Sequence, residues 1–367
     1  MGVKWYDFGA EQAELGSELS EAIARVLKNS QFIRGPEVRA FESEWAAYCG
    51  ARHCVGLGNG LDSLHLSLRA AGIGVGDEVI VPAHTFVATW LAVTYAGATP
   101  VPVDVGIETF TMDPEKFRRA ITPRTKAVIP VDLYGNPANV EEITEEAHRH
   151  DFIVVEDAAQ AHGARVGART VGSIADITAF SFYPIKNLGA YGDAGAITTN
   201  RSDLAERVSL LGNYGSEVKY DHRILGYNSR LDELQAAVLR VKLRQLDRWN
   251  GRRRERASRY LDGLAHLGLT LPSLTPPGHV WHVFPILHRR RDALQAYLES
   301  AGVPSIIHYP VPPHLLGAYA PLGFGPGAFP ISERIAHEEL SLPLSPFLSL
   351  EDQDEVLRSV AKWCSEA

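Results

Sequence analysis

The chain has 367 residues, of which 45% are hydrophobic and 22% charged, the balance of a globular protein with a sizeable core and room for two domains. Its net charge of −8 at pH 7 disfavours a nucleic-acid surface, and no apolar run approaches the 18 or so residues a membrane span needs. The first 30 residues are acidic without an apolar core, so no signal peptide is expected. Three cysteines (Cys49, Cys54, Cys364) neither pair evenly nor match a zinc spacing, so the expectation is no metal site and a reducing, cytoplasmic setting.

In chain order, short apolar runs alternate with helical patterns between Cys54 and Asn200. The runs are HCVGLG, EVIVPA, TPVPVDV, KAVIPVDL, FIVVED, ITAFSFY and GAITTN. Helices are expected to start near Leu61, Thr85, Pro114, Val140 and Asp203. This alternation predicts an α/β fold, a large and mainly parallel sheet sandwiched by helices. The runs are apolar throughout, as expected for strands buried on both faces. Ligands of such sheets sit beyond the carboxyl ends of the strands, so the residues after each run are the candidates for function.

A helical pattern then runs from Ser229, read as an N-cap, through Leu231, Leu234, Ala237, Val238 and Val241 to about Leu264. It is expected to connect a large domain (1–247) to a smaller α+β C-terminal domain (248–367). The cationic cluster on it, Arg252-Arg253-Arg254 with Arg256, reads as a solvated helix face. A strand-like WHVFPIL and a helix over 291–301 follow. IIHYPVPPHLLGAYAPLGFGPG is too rich in proline for regular structure, and a long loop bearing His308, Tyr309 and His314 is more often functional than random.

Several constellations carry chemistry. In GLGNGLDSLHLSL a strand leads through glycines into a helix, aiming free N–H groups and the positive helix end at one spot. That makes an anion site at the backbone of Gly60 and Leu61, suited to a phosphate. A dinucleotide fingerprint counted from Gly56 requires glycine at Leu61 and fails; a glycine-lined turn without ligand is the plain alternative. Phe86, after a strand end, is placed to cover a planar ring or simply to join the core. Glu156 and Asp157 end a wholly apolar strand, where carboxylates are seldom buried without a partner. A pyridinium nitrogen would satisfy Asp157, with Gln160 donating to the ring oxygen; an N-cap role is the alternative.

The densest signal is SFYPIKNLGAYGDAGA. Lys186 sits there between an apolar run and a glycine-rich turn. A buried lysine deprotonates readily and forms a Schiff base with an aldehyde. An acidic residue against the pyridine nitrogen is its usual partner in pyridoxal phosphate chemistry, and Asp157 fits that part. Ser181 has a hydroxyl to offer the phosphate, and Gly189, Gly192 and Gly195 argue for close backbone packing around the lysine. Asn228 and Arg230, in GYNSRLDELQAA, stand near a helix start, where capping competes with ligand contact.

Together these motifs resemble the DegT/StrS family of pyridoxal-phosphate-dependent sugar aminotransferases, with the aspartate aminotransferase fold (fold type I). The likeness runs from FIRGPEVRAFESEWAAYCGARHCVGLGNG to LSLPLSPF, almost the whole chain. It implies that Lys186 carries the cofactor aldehyde, Asp157 pairs with the ring nitrogen, Gln160 lies by the ring oxygen and Phe86 stacks on the ring. It implies a phosphate held by Gly60, Leu61 and Ser181, with Asn228 reaching it from a second subunit, hence a homodimer with shared active sites. Many relatives have Gly-Thr where this chain has Gly60-Leu61, so a hydroxyl contact is missing. NGLDSL, NSRLDELQAA and IHYPVPPHL look most like the branch acting on nucleotide-linked 3-keto-6-deoxy sugars; the 4-keto branch more often shows the Gly-Thr form. The family's deoxygenating dehydratases have histidine where Lys186 stands.

The expected activity is amino transfer from L-glutamate to a dTDP-linked keto-deoxy sugar, in the making of deoxyaminosugars for antibiotics, other secondary metabolites or surface glycans. Tyr183, Lys219, His308 and Tyr309 are the expected contacts for the sugar nucleotide, and Arg230 for the glutamate carboxylate. A cofactor-binding regulator without turnover and a nicotinamide-dependent sugar oxidoreductase are the competing classes.

Overall fold

A computed structural model describes residues 2–273 and 278–366. Three helices open the chain: α1 (Phe8–Leu15), α2 (Ser17–Asn29) and α3 (Pro36–Cys49). The first is capped by the Asp7 carboxylate, which accepts the N–H groups of Gly9 and Ala10 at 3.0 and 3.1 Å. The third begins on a proline, whose missing N–H costs a helix start nothing. Strands and helices then alternate as β1 (His53–Leu57), α4 (Gly60–Ala70), β2 (Glu78–Pro82), α5 (Val87–Ala96), β3 (Thr99–Val103), α6 (Pro114–Arg119), β4 (Thr125–Val128), α7 (Val140–Arg149) and β5 (Ile153–Asp157). A two-residue hairpin follows, β6 (Arg165–Val166) with β7 (Arg169–Thr170), and then β8 (Ile177–Ser181), β9 (Gly195–Thr199) and α8 (Ser202–Gly212).

All seven apolar runs become strands of one sheet, in the order β1-β9-β8-β5-β4-β2-β3. Five run parallel, from β3 to β8. β9 departs from the rule and lies antiparallel to both its neighbours. Side chains alternate between the faces: Val79, Val81, Ala127, Val155 and Ile177 join one core, while Ile80, Val128 and Val154 join another beneath α6 and α7. Both faces are covered, which is why the runs are apolar throughout.

The expected long connector is two helices, α9 (Glu233–Leu243) and α10 (Leu246–Leu264). They part at a tight turn in which the Gln245 N–H bonds the Lys242 carbonyl. Ser229 is no N-cap; its hydroxyl accepts the Gly58 N–H at 3.0 Å, four residues before α9 begins. Arg253 also departs from expectation. It shares a helix face with Trp249, Ala257 and Tyr260, is 1% exposed, and its Nη1 donates to the carbonyls of Trp281, His282 and Leu344 at 3.2, 3.1 and 3.0 Å. Arg252 faces outward and pairs with Glu14 at 2.6 Å. The 247/248 division lies just inside α10.

Beyond α10, β10 (Phe284–Leu287) and β11 (Glu339–Leu342) form an antiparallel pair, packed with α11 (Arg291–Ser300) and α13 (Leu350–Glu366) around Phe284, Leu298, Leu340 and Val356. The proline-rich loop is partly regular, with short 3₁₀ turns at Pro313–Leu315 and Gly317–Leu322 ahead of α12 (Pro330–Glu338). Among the described residues no helix is long and apolar enough to cross a membrane.

Candidate active site

The carboxyl ends of β1, β5 and β8 open on a cavity of about 600 Å³. Its lining includes Gly60, Leu61, Phe86, Asp157, Gln160, Ser181, Tyr183, Lys186, His308 and Tyr309, so ten of the residues expected from the sequence come together. Lys219, Asn228 and Arg230 do not line it.

β5 delivers Asp157 because the strand ladder runs on to its last residue: its N–H bonds the Pro130 carbonyl at 2.9 Å and its carbonyl takes the Asp132 N–H at 3.0 Å. The carboxylate accepts the Thr89 hydroxyl at 2.9 Å and the Ala159 N–H at 3.2 Å. Burial raises its pKa, opposed by those two donors and by the charge of Lys186.

Lys186 lies in the turn after β8, pinned by its N–H to the Tyr183 carbonyl at 2.8 Å. The turn is tight: a Cβ at Gly189 would lie 2.2 Å from the Pro184 carbonyl oxygen, so only glycine fits. Lys186 keeps some exposure where it meets the cavity. Burial pushes its amine down to about 8, and the Asp157 carboxylate pulls the other way. Asp157→Asn removes that pull, so the Lys186 pKa is expected to fall further below its present value. Labelling of cofactor-free protein with an amine-reactive aldehyde across pH checks this. The half-maximal pH moves down in the variant; a midpoint that stays or rises would show that the two groups do not couple.

The opposite wall is the start of α4. Asn59 caps it by accepting the Asp62 N–H at 2.8 Å, while the N–H groups of Gly60 and Leu61 have no acceptor among the described residues. A Cβ on Gly60 would lie 2.6 Å from that of Ser181, so the helix start and the strand end approach closely enough only with glycine there. Two free donors, a helix N-terminus and an adjacent hydroxyl fit a phosphate; an amine beside a carboxylate on the same cavity fits the rest of pyridoxal phosphate.

The proline-rich loop closes the cavity. The Tyr309 ring lies 5.2 Å from that of Phe86, tilted by 39°, and its hydroxyl accepts from Gln160 Nε2 at 3.2 Å. Gln160 Oε1 in turn takes the Tyr134 N–H at 2.5 Å. His308 is anchored through its N–H to Glu339 at 2.6 Å and through Nδ1 to the Ser341 hydroxyl at 2.9 Å. Burial, with the charge of Lys186, holds its pKa down at about 4, so the ring is neutral.

Sequence reasoning missed several members of this wall. Tyr134 adopts a left-handed backbone (φ 62°), which costs about 1 kcal/mol for a residue with a side chain. Its N–H to Gln160, its carbonyl to the His282 N–H at 2.8 Å and its hydroxyl to the His308 carbonyl offset that. The single hydroxyl proton goes to His308, so His84, 2.9 Å from the same oxygen, donates from Nε2. Asp132 lies at the end of the run KAVIPVDL and Tyr134 directly after it, where ligand residues are to be sought; Thr89, inside an apolar helix, gave no such signal.

Lys219 is exposed, its ammonium 5.0 Å from the Tyr220 ring. Arg230 stacks over Tyr214 at 4.9 Å and donates to Asn213 at 3.1 Å and to Asn228. It lines a separate cavity of about 220 Å³ with Arg34 and Glu42.

The model of the DegT/DnrJ/EryC1/StrS aminotransferase family matches residues 13–361. The chain is 52% identical over 362 residues to the "Erythromycin biosynthesis sensory transduction protein EryC1" of Saccharopolyspora erythraea, covering 98% of this chain and 99% of that protein. It is 50% identical over 363 residues to the dTDP-3-amino-3,4,6-trideoxy-alpha-D-glucose transaminase of Streptomyces venezuelae, covering 98% and 96%. The crystal structure of S. venezuelae DesV in complex with a ketimine intermediate superposes with a TM-score of 0.97 at 49% identity, over 100% of this chain and 99% of that one. With that cavity and these likenesses, the chain belongs to the DegT/DnrJ/EryC1/StrS aminotransferase family and is an aminotransferase that uses pyridoxal phosphate.

Proposed function

We propose that the enzyme transfers the amino group of L-glutamate to the 3-keto group of a dTDP-linked 6-deoxy sugar, with Lys186 and Asp157 as the reacting pair. The observation that carries the proposal is the single cavity joining an amine tuned to about 8, a buried carboxylate and a pair of free N–H donors at a helix start. Bound pyridoxal phosphate supplies an electron sink for charge developing at the carbon that bears the amine. Lys186 holds the cofactor aldehyde between turnovers and, released from it, moves the proton to and from the amino-acid α-carbon. Asp157 holds a proton at the ring nitrogen. Gly60, Leu61 and Ser181 seat the phosphate, Phe86 covers the ring and Gln160 reaches the ring oxygen with its remaining N–H.

The acceptor is read from the S. venezuelae relative, whose name specifies a dTDP-3-amino sugar. Tyr183, His308 and Tyr309 are the proposed sugar contacts, since they line the cavity. Lys219, Asn228 and Arg230 lie outside their own chain's cavity, on a segment that exposes Tyr214, Val218, Tyr220, Leu225 and Tyr227. We assign them to the cavity of a second copy in a homodimer, Asn228 at the phosphate and Arg230 near the glutamate carboxylate. The sensory-transduction name of the S. erythraea relative favours a regulator; an amine and carboxylate tuned against each other in one cavity favour turnover.

Excess L-glutamate is expected to bleach the visible band of the protein loaded with pyridoxal phosphate, and a 3-keto dTDP-sugar to restore it. Restoration by a 4-keto sugar alone would move the acceptor carbon. A protein that takes up the cofactor without any visible band would overturn the Lys186 assignment.

A further inference from the structure

Two buried carboxyls have no part in the chemistry above. Glu156 precedes Asp157 on β5, and because successive strand residues point to opposite faces, its side chain turns away from the cavity toward Thr178, its neighbour in register on β8. Asp132 follows β4, where Val131 pairs with Asp157, so Asp132 falls on the same face as Glu156. Both are 0% exposed. Each satisfies one oxygen: Asp132 Oδ1 accepts the Ala138 N–H at 2.8 Å, and Glu156 Oε2 accepts the Thr178 hydroxyl at 2.7 Å. Each leaves the other oxygen, Asp132 Oδ2 and Glu156 Oε1, buried without a donor. The two side chains lie against one another, acceptor to acceptor.

Two anions in contact, each with an orphan acceptor and no cation, are a costly arrangement inside a protein. One proton between them removes a charge and turns two orphan acceptors into a single charge-assisted hydrogen bond. We propose that Asp132 and Glu156 share one proton, and that the single negative charge they retain lies across β5 from Asp157, is tied to it by the ladder, and adds to the negative potential that favours a proton on the cofactor.

Burial raises the pKa of both groups above the carboxylate range, and the charge of Asp157 adds to the rise. The other titratable groups felt here are the buried thiol of Cys49, which feels the charge of Glu156, and Lys186, which acts on Asp157. Neither supplies a counter-charge to the pair. Asp132 also touches Asp157 through the backbone, N–H to carbonyl at 3.0 Å, so the acid pair and the cavity carboxylate are tied by ladder as well as by field. Asp132 and Glu156 are positioning residues: they act through Asp157.

The role in positioning rests on the reading of Asp157 as the ring-nitrogen partner; the shared proton does not, and the two are tested apart. Infrared spectra of cofactor-free protein at neutral pH should contain a protonated-carboxyl stretch that disappears in Asp132→Asn and likewise in Glu156→Gln. In either variant the amide supplies the hydrogen bond and the remaining carboxyl ionises. Glu339, whose pKa burial pushes up to about 8, contributes a band of its own that should persist in both. Retention of the whole parent signal in both variants would overturn the shared proton. One folded variant suffices for the reading.

The second measurement is the pH midpoint of the visible band in the cofactor-loaded protein. Each single amide keeps one negative charge, so its midpoint should match the parent. Asp132→Asn with Glu156→Gln removes that charge and should lower the midpoint by about one unit. Single variants that shift as far as the double would mean two separate charges, and a double variant that does not shift would remove the supporting role.

Discussion

Lys186→Ala is expected to lower turnover by more than about 10⁴-fold: a positioned general base alone contributes about 10²–10⁴-fold, and in the proposed role this lysine is the covalent anchor as well. The size of the effect follows from its surroundings. Burial has brought the amine down to about 8, so at neutral pH roughly a tenth of it is already free base, against less than a thousandth for an ordinary exposed lysine. Two titratable neighbours on the cavity are already engaged. His308 is held neutral at about 4 and its Nδ1 is committed to Ser341, and the Asp157 carboxylate is turned to Thr89 and Ala159. The Gly60–Leu61 donors and Ser181 lie on other elements, so the variant should still take up the phosphate end of the cofactor. Single-turnover kinetics with L-glutamate, beside a binding titration of pyridoxal phosphate, separates the two effects. Turnover within tenfold of the parent would remove Lys186 from the chemistry. Loss of cofactor binding equal to the loss of rate would mean that the lysine holds the cofactor and does little else.

What was legible in the sequence, and what was not, divides along physical lines. The seven strands were legible because burial on both faces forces unbroken apolar stretches such as the VIV of EVIVP and the IVV of IVVED, and few other structures read that way. The direction of β9 was not, since GAITT is apolar whichever way it lies. The cavity was legible where a backbone requirement leaves a mark: glycines cluster around Lys186 because a Cβ at Gly189 or at Gly195 would run into backbone within 2.2 to 2.3 Å. The supports were hidden because their partners are remote in sequence. Thr89 reaches Asp157 across 68 residues, and Tyr134 meets His308 across 174. Arg253 was misread for the same reason. Its charge looks solvated in a run of arginines, and the three carbonyls that receive it come from β10's approach and the chain after β11.

Glu11→Ala illustrates how far such a remote contact reaches, and it should destabilise the protein by about 3–5 kcal/mol. Glu11 is 1% exposed and Lys242 fully buried, and their charged atoms lie 2.6 Å apart. The Tyr6 and Tyr191 hydroxyls donate to the same carboxylate at 2.6 and 2.8 Å, and the Lys242 ammonium sits 4.0 Å from the centre of the Tyr191 ring. Burial lowers the Lys242 pKa and Glu11 opposes that shift. Removing Glu11 therefore strands an ammonium and two hydroxyls at once. Removing both members of the pair is different: Glu11→Ala with Lys242→Met takes the ammonium away with its carboxylate and should recover a large part of the loss. The consequence for function lies in Tyr191, five residues after Lys186 in the same turn. Its N–H is held by Gln235 at 2.8 Å, so once the hydroxyl is released this end of the turn keeps its α9 tether, while Asn187 at the other end still donates to Asn250 and to the Val280 carbonyl, both at 2.9 Å. Urea midpoints of the parent, the single and the double variant measure the pair. A single variant that costs less than about 1 kcal/mol, the range of exposed ion pairs, would show that water reaches Lys242. The visible band of the loaded single variant should broaden or shift where the denaturation midpoint alone would not report it, because the lysine turn hangs from the same cluster.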